Sequence, residues 1–64
     1  MLLKVTCRIQ ALLEFRAGSC VDLPIVLRPP KDPGEIQLEV DLDRYAILET
    51  EGGALRLRRL ADVG

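Results

Sequence analysis

The chain contains no histidine, no asparagine and no tryptophan. Histidine is the side chain that most often acts as general base near neutral pH. Without it, a Cys-His nucleophile pair cannot form within one chain. Zinc centres want clustered Cys and His, and only two separated cysteines, Cys7 and Cys20, are present. Aromatic residues are scarce as well, with Phe15 and Tyr45 alone. Small barrels that bind single strands offer several exposed aromatics as stacking platforms, so that platform is thin here.

Long apolar runs are also missing. Met1-Leu2-Leu3 is followed at once by Lys4, and charges recur every few residues. No stretch approaches the roughly 20 apolar residues of a membrane helix, and the early charges argue against a signal peptide. The expectation is a cytoplasmic protein with no membrane partner. The glycines are scattered rather than gathered in a phosphate loop that opens a helix after a strand. Glu39, Asp41 and Asp43 alternate, and such a row can meet a hard cation. No glycine-bearing calcium loop surrounds them, so they read as a solvated strand face. The expectation is therefore a non-enzyme with no catalytic residue, no cofactor and no metal.

The net charge is only −1, which gives no long-range attraction to nucleic acid or anionic lipid. In a reducing cytosol the two cysteines read as small buried hydrophobes rather than a disulfide. Few amide side chains beside 30% charged residues is a pattern of heat-adapted proteins.

What is present is a globular composition, with 48% hydrophobic residues in a chain of 64. That length makes one domain, marginal on its own. Chains this small often recruit a partner to complete their core.

The apolar residues repeat with a period of two. Leu3, Val5, Cys7, Ile9, Ala11, Leu13, Phe15 and Ala17 occupy odd positions, which predicts a long strand over Leu3–Ala17 with one apolar face. A helix is the competing reading of Arg8–Ala17. The segment is rich in helix formers, and Ile9, Leu12, Leu13 and Arg16 have helical spacing. A second strand is expected over Cys20–Leu27. Pro24 cannot donate a ladder hydrogen bond and confines that strand to an edge or a bulge. Arg28 to Gly34 holds three prolines and reads as a stiff hairpin connection, with Pro33-Gly34 as its turn. A proline-rich ligand segment is the functional reading of the same residues.

Glu35–Leu42 alternates cleanly and predicts a half-buried strand with an acidic outer face. Tyr45–Thr50 and Ala54–Leu60 flank Gly52-Gly53, a pair suited to the positive φ of a tight hairpin turn. A two-residue loop there places Glu49 opposite Arg56 and Leu48 opposite Leu57. The expected fold is all-β: a small antiparallel meander of about five strands, closed into a barrel or folded into a two-layer sandwich. The alternative is α+β, with a short helix around Arg8–Ala17. The stretch Gly18 to Pro29 resembles the second strand of bacterial immunoglobulin-like modules over under a fifth of the chain. That resemblance implies a sandwich as a fold alternative and nothing about function.

Two functional readings follow. The first is a protein-interaction or accessory module acting as a homo-oligomer, with a dimer favoured. Leu12, Val26, Ile47 and Leu60 fall on faces assigned to solvent, and a cluster of such residues marks an interface. Strand one or strand five is the edge expected to pair with another copy. The second is a small nucleic-acid-binding barrel. Arg56, Arg58 and Arg59 on the last strand, with Lys4, Arg8 and Arg16 on the first, form a basic patch if those faces are neighbours.

Overall fold

The computed structural model describes residues 1–17 and 22–60. Among them run β1 (Leu2–Arg8), α1 (Ile9–Arg16), β2 (Leu23–Ile25), β3 (Glu35–Asp41), β4 (Tyr45–Glu49) and β5 (Leu55–Arg59), with a short 3-10 turn at Glu51–Gly53 before β5. The fold is mostly strand with one short helix.

The expected long first strand ends at Arg8, and the helical alternative is the one that forms. The two periods compete over the same residues, and pairing decides between them. β1 pairs antiparallel with β3 from Leu2 opposite Asp41 to Arg8 opposite Glu35. Past Arg8 the partner strand has ended. An extended backbone there would leave its polar groups unpaired, whereas a helix satisfies them internally. The Ile9 amide donates to the Gly34 carbonyl at 2.9 Å, which pins the helix start to the loop before β3. The helix turns Ala11, Leu12 and Phe15 onto the core and leaves Leu13 exposed. An eight-residue helix is marginal alone, so this packing sustains it.

The strand order is not that of a meander. β1 pairs with β3, and β5 lies between β2 and β4. The segment between β2 and β3 is therefore a crossover and not a hairpin, and β3 and β4 are sequence neighbours that do not pair. The two sheets meet at one bridge, where Thr6 and Val26 exchange amide-to-carbonyl bonds of 2.9 Å. No barrel closes. Side chains from both sheets fill one core: Val5, Cys7 and Val40 from the first, and Leu23, Ile25 and Leu57 from the second. Each such buried aliphatic side chain contributes about 1.5–3 kcal/mol. Cys7 is one of these core residues, as expected, and burial pushes its thiol pKa up. Cys20 lies outside the described residues.

Of the expected Cys20–Leu27 strand, Leu23–Ile25 and the bridge at Val26 form within the described residues. Pro24 is accommodated in a strand only three residues long. The glycine hairpin forms with both Gly52 and Gly53 at positive φ, 82° and 77°. Its loop is one residue longer than expected. Thr50 closes on Ala54 through an amide-to-carbonyl bond of 2.8 Å, with three residues between them. Glu49 then faces Leu55, Leu48 faces Arg56, and Ile47 faces Leu57. A slip of one residue exchanges the two faces of a strand. Ile47 consequently packs on the core, and the expected Glu49–Arg56 pair is not formed.

Candidate functional site

The Pro-rich connection carries the densest polar network among the described residues. The Glu35 carboxylate accepts two bonds from the Arg28 guanidinium, at 3.2 and 2.8 Å. It also accepts the backbone amides of Lys31 and Asp32, at 3.0 and 3.1 Å. Asp32 to Glu35 is a turn closed by the Glu35 amide on the Asp32 carbonyl. Pro33 presets its first angle as expected, while Gly34 does not use a positive φ. The Arg28 bonds, helped by the two amides, hold the Glu35 pKa down at about 2. Behind the network, the fully buried Thr6 hydroxyl donates to the Arg28 carbonyl. Burying a hydroxyl without such a partner is costly, so this bond fixes where the loop crosses β1.

Beside the loop lies a cleft of about 600 Å³. Its walls are the end of β1, the end of β2 and the start of β5. Three cations line it: Arg8, Arg28 and Arg56, with Asp32 and Glu35 as the acids. Pro24, Val26, Leu27 and Leu55 give it an apolar surface. The volume is that of a small-ligand site. Arg56 is half-buried, and the residues across from it on the two flanking strands are Pro24 and Leu48.

The arginines expected to form one basic patch are divided. Arg8 and Arg56 share this cleft. Arg16 and Arg59 line a second cavity of about 240 Å³ beside Phe15 and Tyr45, where the Arg59 guanidinium lies 5.5 Å from the Phe15 ring centre. Arg58 points to the same side of β5 as Arg56 but is held by Asp22, with bonds of 3.0 and 3.1 Å. That pair lowers the Asp22 pKa and raises that of Arg58. Lys4 is exposed, with Glu39 across from it on β3.

The residues expected at an interface are also divided. Leu12 and Ile47 pack against the core; helix formation turned the first inward and the hairpin register the second. Val26 and Leu60 are exposed, at 39% and 43%. β5 is not an edge, since it lies between β2 and β4, whereas β1 ends its two-stranded sheet and is met on its outer side by the Val26 bridge alone. β1 and β2 have outer sides met only where Thr6 bridges Val26, and β3 and β4 have outer sides that pair with no described strand. Asp41 is engaged at the β3–β4 corner, where it accepts the Asp43 amide at 3.0 Å. Sequence reasoning missed Arg28 and Glu35. Their one signal was a glutamate placed just after the Pro-Gly turn, and its partner is fixed only by the path of the loop.

No family model matches the chain, and no curated protein or solved structure matches it.

Proposed function

We propose that this chain is a non-enzymatic interaction module that works as a cytoplasmic homodimer, joined along the free edge of β4. One observation carries the reading. β4 bonds to β5 on one side only, and its sequence Tyr-Ala-Ile-Leu-Glu has no proline and no basic residue. Proteins usually guard an edge with such residues, because an open row of amides and carbonyls templates pairing. β3 also lacks proline and basic residues, but it carries three acids, Glu35, Glu39 and Asp41, against the single Glu49 of β4.

Two copies of β4 meeting antiparallel about Ile47 join two three-stranded sheets into one. Ala46 then faces Leu48 of the other copy, and Tyr45 faces Glu49. No like charges oppose each other in that register. A two-fold dimer is also the commonest closed assembly, and it answers the small core of a chain this short. The described residues contain no helix long and apolar enough to cross a membrane.

Light scattering coupled to gel filtration at micromolar concentration tests the proposal. A dimer mass is expected, falling to a monomer for Leu48→Lys, which adds a charge to the outer side of β4. A monomer mass for the unmodified chain at every accessible concentration overturns it. Nucleic-acid binding is the competing reading. Filter binding to RNA and DNA at low salt tests it, because phosphate contacts weaken steeply as salt rises.

A further inference from the structure

We propose that the cleft between β1, β2 and β5 binds a small organic anion, a carboxylate or phosphate carried on an apolar body, held by Arg8 and Arg56. The charge arrangement carries this. Of the five charged groups lining the cleft, Arg28 and Glu35 neutralise each other. Both Glu35 oxygens are engaged by Arg28, and one of them also by the Lys31 and Asp32 amides. The Glu35 side chain is only 7% exposed, so it has nothing left to offer an occupant.

Arg8 stands opposite Glu35 in the β1–β3 register, but that carboxylate is turned to Arg28. Arg56 is flanked by Pro24 and Leu48 and has no acid across from it on either strand. The contrast with Arg58 on the same side of β5 is direct, since Arg58 has Asp22. Neither guanidinium forms an ion pair with a carboxylate among the described residues, although the charge of Asp22 also reaches Arg56, and the one acid left lining the cleft is Asp32, which acts on Arg28. A guanidinium presents a planar fork of donors that matches carboxylate and phosphate oxygens.

The rest of the lining selects the body of the ligand. Val26 and Leu27 are 39% and 57% exposed at the cleft, and an apolar chain laid on them removes that surface from water. An inorganic anion meets only half of this site. A cationic amphiphile meets the apolar half and is repelled by the arginines.

Nitrogen-15 NMR titration of the full chain with hexanoate tests the proposal, with hexylammonium and inorganic phosphate as comparison probes. Hexanoate is expected to give saturable shifts at Arg8, Val26, Leu27, Leu55 and Arg56. Hexylammonium is expected to give none, and phosphate a weaker response at the same arginines. Arg56→Gln is expected to lose about tenfold or more in affinity, the scale of a charge-assisted bond, with the rest of its spectrum unchanged. Arg8→Gln provides the same readout should Arg56→Gln disturb the fold. Unsaturable or scattered shifts, equal shifts from hexylammonium, or unchanged affinity in both variants overturn it. Tighter binding of a short oligonucleotide at the same amides also overturns it, in favour of nucleic acid. The dimer measurement reads a mass and the titration reads amide shifts at the cleft, so either proposal can fail alone.

Discussion

Two connections in this molecule hold their shapes by different means. The turn from β4 to β5 is held by backbone conformation. Gly52 adopts φ 82° and ψ 12°, the angles of the third residue in a type II turn, and Gly53 follows at φ 77°. Nothing lies within 4 Å of where a side chain would sit on either glycine. Glycine is needed there for its conformational freedom and not for space. The crossover from β2 to β3 is held by side chains. Its prolines limit the unfolded ensemble, but its position is fixed by Glu35 and Arg28 across the loop and by Thr6 beneath it. A conformational lock resides in the residues of the turn itself, whereas a side-chain lock draws on groups distant in sequence.

The sharpest way to break the first lock is Gly52→Val together with Gly53→Val. The cost is expected to be on the order of 1–3 kcal/mol per strained position, since β-branched residues resist positive φ. It is read as a fall in the urea unfolding midpoint. An unchanged midpoint would show that the turn does not need those angles.

A smaller loss is expected from breaking the second lock at its base. Thr6→Val keeps the side-chain shape and removes the hydroxyl, leaving the Arg28 carbonyl without that donor at a cost of about 1–3 kcal/mol. The same urea titration measures it. Hydrogen exchange adds the location, with faster exchange at Lys31, Asp32 and Glu35 than at Gly53. Equal acceleration at both connections would mean that they are not independent.

The last effect is read across pH and concerns Glu35, which is ionised at neutral pH, where its bonds to Arg28 and the two amides contribute in full. Its pKa falls from the ordinary 4.5 to about 2 on folding. A lowered folded pKa stabilises the protein above the unfolded value and loses that contribution as pH falls toward the folded one. Thermal midpoints are therefore expected to decline between about pH 4.5 and 2. Glu35→Gln should flatten that decline and lower the midpoint at neutral pH. A variant whose acid profile matches that of the unmodified protein would remove Glu35 from the account.

Much of the strand pattern was legible because it depends on near neighbours. Ile36, Leu38 and Val40 alternate with polar residues, and β3 forms where they do. The segment Arg8 to Ala17 satisfies both a strand and a helix, so its own residues could not decide. The end of β3 opposite Arg8 decided it. The hairpin was placed correctly, yet one added loop residue exchanged Ile47 for Leu48 at the core. At the cleft, Arg8 and Arg56 were visible as charges. That they line one cleft, and that Arg28 is consumed by Glu35, depends on contacts between distant segments.

By itself the sequence determined the period-two faces of β1 and β3, the glycine turn and the break at Arg28 to Gly34. Each follows from the local sterics and hydrogen bonding of a few adjacent residues. Tertiary structure decided the strand order, the helix, the unguarded β4 edge and the division of the arginines between two cavities. These depend on which backbone groups find partners and which charges find counter-charges, and those partners lie far along the chain, as with Asp22 and Arg58, 36 residues apart.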